Sequence, residues 1–381
     1  MTQFRLIAST AFGLEAVAKR ELQSLGVSEI QAYNGYVEFV GDELTIARAN
    51  LWLRTVNRVF IKVGQFTART FEELFEQTKA LPWPELLSKD ANFPVNGRSL
   101  KSQLSSVPAC QSIVKKAVVE SLKERYRMEK FPETGPRYTI EVSLLKDEAV
   151  ITLDTSGEGL HKRGYRKLTA SAPIRETLAA ALVLLSRWGP HRPFADPLCG
   201  SGTIAIEAAM IGSNLAPGHR RTFASEHFIW MDKGSWNEAR QEVEDTRQRS
   251  ASLEILAGDI DKEVLSLAEY HARQAGVGPQ VQIVHQDVAK FQPDDPYGCI
   301  ITNPPYGERL WEEREVRKLY QTMGKSFARL DTWSKFVITS YPDFERVYGD
   351  KADKKRKLYN GRIQTNFYQY LGPLPPRKPH D

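Results

Sequence analysis

Short apolar runs and helical periodicities alternate along the whole chain. Residues 4–9 read as a strand. Residues 14–25 carry apolar side chains at helical spacing, and Gly26 follows as a C-cap. Residues 36–40 and 59–66 read as further strands, with a helix over 42–53 between them. Strand, helix, strand, helix predicts a ferredoxin-like layout with the helices on one face of a sheet. A short amphipathic helix over 71–80 follows, then a turn around Pro82 and Pro84, and an extended, Arg/Lys/Ser-rich stretch over 93–104. Pro108 sits in the first turn of a longer helix reaching about residue 128, a place where proline is tolerated. Residues 138–144 and 149–154 form a hairpin around Lys146 and Asp147.

The pattern changes after residue 156. The polar, basic segment GEGLHKRGYRKL, residues 157–168, reads as a linker. Ser171 and Pro173 open an Ala/Leu-rich helix to about Trp188. From Phe194 onward short apolar strands alternate with helices: FADPL with a helix from Thr203, LEILAGD with a helix from Glu263, VQIVHQD, CIITNPP with a helix near Glu315, then KFVITS. That alternation predicts a parallel, doubly wound sheet. The Asn360–Gly361 pair between two β-rich runs predicts a terminal hairpin.

Composition adds limits. Of 381 residues, 41% are hydrophobic and 26% charged, which excludes a largely disordered, collagen-like or coiled-coil chain. The first residues lack the apolar core and cleavage site of a signal peptide, and no apolar run is long enough for a membrane span. Cys110, Cys199 and Cys299 are far apart and suit neither a disulfide framework nor a zinc site, so a reducing cytoplasm is expected. The histidines show no metal-ligand spacing, and no metal is expected. The net charge of +5 permits a polyanionic partner without requiring one.

Four strings carry the chemistry. In DPLCGSGT, Asp196 to Thr203, Gly200 and Gly202 let the backbone approach a ligand closely between a strand and a helix. The string is neither a Walker A loop nor a full GxGxxG; read alone, it could be a tight turn and nothing more. The next strand ends in GDID, where Asp259, or second Asp261, can accept both hydroxyl hydrogens of a ribose; Asp261 could equally cap the next helix. Asp287 in VHQD can accept from an adenine amino group, or be a surface acid. In Asn303-Pro304-Pro305-Tyr306-Gly307 two prolines stiffen a loop directly after an apolar strand. The Pro304 carbonyl and the Asn303 side-chain oxygen are acceptors, and Tyr306 offers a flat face. Two acceptors and one aromatic plate suit a planar substrate with an exocyclic NH₂.

In this order and spacing, DPLCGSGT, GDID, VHQD and NPPYG resemble the S-adenosylmethionine-dependent class I methyltransferases; NPPY marks those that methylate amines conjugated to a planar system. Together with HKRGYR, APGHRRTF and KLYNGRIQTNFYQYL, the chain is similar over nearly its whole length to THUMP-containing 23S rRNA guanine-N2 methyltransferases. One methyltransferase domain is expected, without the second that some fused relatives carry. The resemblance implies a ferredoxin-like unit at 1–65, a THUMP RNA-binding domain at 66–156, a linker at 157–170 and a Rossmann-like α/β methyltransferase domain at 171–381. It implies S-adenosyl-L-methionine as cofactor, held by Asp196, the backbone from Cys199 to Gly202, Thr203, Asp259 or Asp261, Asp287 and Asn303. Asn303 and Pro304 would bind the target amine, with Tyr306 stacking on the base.

The implied partner is RNA, rRNA ahead of tRNA, with the oligomeric state open. Candidate phosphate contacts are Arg98, Lys101, Lys115, Lys116, Lys162, Arg163, Arg166, Lys354, Lys355 and Arg356, each of which could instead belong to a solvated charged face. Rival readings are a tRNA guanine-N2, DNA N6-adenine or protein N5-glutamine methyltransferase, and a non-catalytic RNA-binding assembly factor. Thiolate-dependent C5-pyrimidine methylation would need Cys199 or Cys299, which sit in the cofactor turn and at the start of an apolar strand.

Overall fold

A computed structural model describes residues 3–166, 174–249, 251–306 and 310–376. Its contacts divide the chain into two units. The first holds the residues up to Thr10, Ala18–Leu160 and Arg221–Glu242; the second holds Ala11–Val17, His161–Arg220 and the chain from Val243 onward.

The first unit is built on one seven-stranded sheet. Its strands are β1 (Phe4–Thr10), β2 (Ile30–Tyr33), β3 (Tyr36–Gly41), β4 (Val56–Thr67), β5 (Val95–Leu100), β6 (Ile140–Leu145) and β7 (Glu148–Asp154), in the order β2-β3-β1-β4-β7-β6-β5. The helices are α1 (Glu15–Ser24), which belongs to this unit from Ala18 onward, α2 (Glu43–Trp52), α3 (Phe71–Lys79), α4 (Trp83–Leu86) and α5 (Val107–Tyr126). The ferredoxin-like and following modules therefore share a sheet. The long strand β4 joins them: it pairs antiparallel with β1 along its first half and with β7 along its second, with an irregularity between Lys62 and Gly64. β2 and the single turn α4 were not foreseen; IQAY is mostly exposed, and LPWPELL reads as a turn. Local chemistry explains the predicted elements. Asp42 caps α2 by accepting from the Thr45 N–H at 2.9 Å, and Thr70 with Glu73 forms a capping box on α3. Lys146 and Asp147 both take positive φ at the β6–β7 turn, as a two-residue hairpin of this hand requires.

The second unit carries β8 (Phe194–Asp196), β9 (Ile255–Asp259), β10 (Gln282–His285), β11 (Cys299–Thr302), β12 (Ser334–Thr339), β13 (Lys354–Asn360) and β14 (Ile363–Tyr370), in the order β10-β9-β8-β11-β12-β14-β13. Its helices are α6 (Glu176–Leu185), α7 (Thr203–Gly212), α9 (Lys262–Ala275), α10 (Leu310–Phe327) and α11 (Phe344–Tyr348); α8 (Lys233–Thr246) begins in the first unit and ends in this one. The first five strands in sheet order are parallel, as expected. The sheet is nevertheless mixed, because the terminal hairpin joins its edge with β14 antiparallel to β12. A two-residue turn returns the chain antiparallel, and only a crossover could have made it parallel. The turn also sits one residue later than expected: Asn360 pairs with Ile363 on the last rung, leaving Gly361 (φ +64°) and Arg362 as the loop.

The central strands are buried on both faces, which is why CIIT reads as a continuous apolar run. Alternate residues feed two cores: Phe194, Ile301 and Phe336 pack with α6, α7 and α9, while Ala195, Ile300 and Val337 pack with α10 and α11. The expected opening of α6 at Ser171 and Pro173 lies outside the described residues.

Candidate active site

The chain runs from β8 outward to β9 and β10, then returns to the other side of β8 as β11. The topological switch point therefore lies between β8 and β11, and open α/β sheets bind ligands at the strand ends there. Asp196 ends β8, Asp259 ends β9, and Asn303 directly follows β11.

A chain of hydrogen bonds holds these ends together. Asp196 is 1% exposed and accepts from Thr302 Oγ1 at 2.7 Å and from the Leu198 N–H at 3.3 Å. Burial raises its carboxyl to about 7, assisted by the nearby Asp259 charge and opposed by those two donors. The glycine turn is fixed from below: the Cys199 N–H donates to the Gly258 carbonyl, and the Gly200 N–H donates to Asp259 Oδ2, both at 2.9 Å. Asp259 Oδ1 accepts from the Asp261 N–H at 3.0 Å. His271 on α9 lies 3.2 Å from the Ser201 carbonyl. Gly202 ends the turn at φ +80°, where a Cβ would meet the Ala268 Cβ at 3.0 Å; only glycine lets α7 start this close to α9. Above Gly200 a Cβ would find nothing within 4 Å, so the turn opens onto free space beside the half-exposed Asp259. Each carboxylate oxygen there has one bond and lone pairs to spare, which suits a diol.

Across the switch point Asn303 is half-buried and Pro304 buried. The Tyr306 hydroxyl donates to Asn303 Oδ1 and is itself hydrogen-bonded by the Asn360 side chain at the hairpin tip. Burial pushes the Tyr306 phenol up to about 12, so it stays a donor and is not a base. The buried Tyr320 hydroxyl donates to the Pro305 carbonyl at 2.8 Å and meets Thr339 Oγ1 at 2.8 Å, pinning the loop to α10 and β12. The Asn303 oxygen retains a second lone pair for an amine N–H.

The site therefore brings together Asp196, Cys199, Gly200, Gly202, Thr203, Asp259 and, across the Thr302 link, Asn303, Pro304 and Tyr306. Asp196, Cys199, Gly202 and Thr203 are buried, so any ligand contact falls to the backbone around Gly200. Asp261 is exposed and caps α9 through the Glu263 N–H at 2.8 Å. Asp287, half-buried beyond β10, caps the turn at Val288–Lys290 by accepting from the Ala289 N–H at 2.9 Å. Gly307 lies outside the described residues. Thr302, His271 and Tyr320 are not singled out by the sequence, and Asn360 is marked there only as part of a hairpin turn. Of the first three, Thr302 alone leaves a signal, a hydroxyl at the end of an apolar strand just before the loop.

Both candidate thiols are poor nucleophiles. Cys199 is buried with its thiol raised well above the ordinary value by desolvation and two nearby carboxylates, and burial raises Cys299 to about 11.

The basic candidates separate. Arg163 is a correction: it is 4% exposed and shares Glu207 on α7 with the Tyr165 hydroxyl, so it lies in the interior beside a cavity of about 210 Å³ with Met210 and His219. Burial lowers His219 to about 4. Arg166 does not suit a phosphate contact either: it is mostly buried, pairs with Glu176 at 3.2 Å and donates to the Ile174 carbonyl at 3.0 Å. Lys162 and Lys354 are exposed, and Arg356 is half-buried. Lys355 pairs with Glu345 at 2.6 Å on the surface. In the first unit, exposed Arg98 donates to Ser143 Oγ at 2.8 Å, Lys101 is exposed, Lys115 pairs with Glu133 at 2.7 Å, and Lys116 lies over the Phe75 ring at 5.6 Å. Among the described residues no cluster of three or more His, Cys, Asp or Glu could hold a metal ion, and no helix is long and apolar enough to cross a membrane.

Comparison with known proteins adds three family matches: an RlmL ferredoxin-like domain over residues 5–60, a THUMP domain over 68–154, and an RMKL-like methyltransferase domain over 163–369. The chain is 51% identical over 380 residues to a Bacillus subtilis (strain 168) protein named "Putative RNA methyltransferase YpsC", covering 99% of this chain and 98% of the relative. A structure from Listeria monocytogenes str. 4b F2365, described as "a predicted N6-adenine-specific DNA methylase", is 55% identical with a TM-score of 0.94, over 98% of this chain and 97% of that one. A third relative, SMU.472, described as "a putative methyltransferase complexed with SAH", is 45% identical with a TM-score of 0.94, over 98% of this chain and 99% of that one.

Proposed function

This chain belongs to the RMKL-like methyltransferase family, with an RlmL ferredoxin-like domain and a THUMP domain ahead of the catalytic one, and from that premise we propose that it methylates the exocyclic N2 amine of a guanine in 23S rRNA. S-adenosyl-L-methionine is the methyl donor of the family, and when bound it supplies an electrophilic methyl group on a sulfonium. The residues present fit it: an open glycine turn beside Asp259, with carboxylate lone pairs for the ribose. Asp287 would meet the adenine amine.

The observation that carries the reading is the position of the Asn303–Tyr306 loop beside the glycine turn, the two joined by the Thr302–Asp196 bond at 2.7 Å. An aromatic amine is a weak nucleophile because its lone pair is delocalised into the ring. Asn303 Oδ1 and the Pro304 carbonyl would each accept one N–H and so aim the lone pair. Alignment of reacting atoms can lower a barrier by roughly 7–11 kcal/mol. The Tyr306 hydroxyl fixes the Asn303 oxygen, and its ring would stack on the base. The amine turns acidic once alkylated and releases its proton without a dedicated base. The target nucleotide must be unpaired or flipped out to reach this loop.

RNA is favoured over DNA by the THUMP match, although one relative's description speaks of DNA. We place the reaction in the cytoplasm and give surface contacts with RNA to Arg98, Lys101, Lys115, Lys116, Lys162, Lys354, Lys355 and Arg356. The test is methyl transfer from labelled S-adenosylmethionine to rRNA and tRNA prepared from a strain lacking this gene, followed by nucleoside mass analysis. Label in N2-methylguanosine of 23S rRNA is expected. Label in tRNA, in adenine or in DNA alone would replace the target.

A further inference from the structure

The terminal hairpin ends beside the amine-binding loop, and its tip carries groups that neither the fold nor the reaction uses. Asn360, the last paired residue of β13, hydrogen-bonds the Tyr306 hydroxyl. The phenol's single proton goes to Asn303 Oδ1, so the Asn360 amide is the donor in its bond to the phenol oxygen. One residue before Asn360, roughly 3.4 Å along the strand, stands Tyr359. Its half-exposed ring meets Phe12 edge-on with centroids 6.3 Å apart, and Lys357 Nζ lies 5.7 Å from the ring centre. Phe12 is 56% exposed although its neighbours Leu14 and Val17 enter the core. The turn that presents it is seated on β13: at Gly13 (φ +88°) a Cβ would stand 3.1 Å from the Lys357 carbonyl. Arg362, exposed, occupies the second loop position.

Lysines on β13 alone would serve to keep an edge strand from pairing with other chains. An exposed and a half-exposed aromatic ring at the same place would work against that purpose, so the lysines do not explain them. We propose that Phe12 and Tyr359 form a stacking platform for the unpaired nucleotide that flanks the target base, with Lys357 and Arg362 on its phosphates. Flat rings interleaved with cations match the way single strands are held, by base stacking and backbone charge. Asn360, which bonds the reacting loop, belongs to the same hairpin tip as this platform. This rests on the RNA reading above.

The test uses the full chain and a short single-stranded oligoribonucleotide containing 4-thiouridine. Photo-crosslinks are mapped by peptide mass, and affinity is followed by fluorescence anisotropy beside a blunt duplex of the same sequence. Crosslinks are expected at residue 12 and within 357–362. Phe12→Ala and Tyr359→Ala should each weaken single-strand binding about thirtyfold, the middle of the range for loss of one stacked base. Tyr359→Trp should bind within about twofold of the parent, and duplex binding and S-adenosylhomocysteine affinity should not move. The platform is refuted if both alanine variants bind the single strand as the parent does, or if Tyr359→Trp loses as much as Tyr359→Ala while S-adenosylhomocysteine binding is intact. If the parent methylates RNA but the alanine variants bind unchanged, only the platform falls. If the parent neither binds nor methylates RNA, the RNA reading falls and the platform with it.

Discussion

Replacing Asp259 separates its two tasks. Each carboxylate oxygen already accepts one backbone N–H, from Gly200 at 2.9 Å and from Asp261 at 3.0 Å. Asp259→Asn keeps one oxygen acceptor and turns an NH₂ toward one of those N–H groups. A hydrogen bond to a charged group is worth about 1.5–3 kcal/mol, and the half-exposed site lets water replace part of that, so loosening the turn should cost about 1 kcal/mol. The larger effect falls on binding. A ribose diol needs two acceptors, and the amide offers one, so a second charged bond of about 1.5–3 kcal/mol goes. Together the two losses give about a hundredfold drop in S-adenosylhomocysteine affinity or more. Titration calorimetry on the parent, Asp259→Asn and Asp259→Ala reads the effect, with thermal unfolding to show that the fold survives. Asp261→Asn is the control: asparagine caps a helix as well as aspartate does, so α9 is kept while the charge goes. Affinity within twofold for Asp259→Asn would refute the ribose assignment, and a loss confined to Asp261→Asn would transfer it.

Gly202→Ala combines a left-handed backbone, costing about 1–2 kcal/mol in a residue with a Cβ, with the 3.0 Å approach to Ala268. Urea unfolding should show a loss of about 2–3 kcal/mol, partly relieved in an Ala268→Gly background; equal stability would contradict the packing argument. Asp196 holds its proton more tightly folded, at about 7, than unfolded, near 3.9, so stability falls as pH rises between those values and then levels. Asp196→Asn keeps the acceptor for Thr302 and cannot ionise. Its Tm should therefore gain on the parent's from pH 5 to pH 7, and parallel Tm profiles would exclude the effect. Arg163→Ala strands Glu207 in the interior and should cost about 3–5 kcal/mol in urea unfolding, while RNA affinity of the folded fraction stays the same; a salt-dependent loss of RNA binding would return Arg163 to the surface candidates.

The second sheet was largely legible because each strand is a short apolar run ended by a chemical string. CIIT before Asn303 and LEILAG before Asp259 announce both a buried strand and what its end presents. What could not be read was pairing at long range. Nothing in β4 announces that it changes partner halfway along, and nothing in residues 221–242 announces that they group with the first unit. The site divides the same way. Backbone-shaping residues such as Gly200 and Pro304 carry local signals. Thr302, Tyr320, His271 and Asn360 act through partners 15 to 106 residues away, which composition does not record. Arg163 shows the opposite error. A cation in a basic, glycine-containing stretch reads as surface, yet Glu207, four residues into a buried helix, supplies the partner that draws it inside.

The central claim is that the Asn303–Tyr306 loop, joined to the cofactor turn by Thr302 and Asp196, holds the accepting amine. Single-turnover methyl transfer to RNA by Asn303→Ala, with S-adenosylhomocysteine affinity measured on the same sample, tests it most directly. Transfer should fall below detection while cofactor affinity stays near that of the parent. Transfer at the parent's rate would contradict the account.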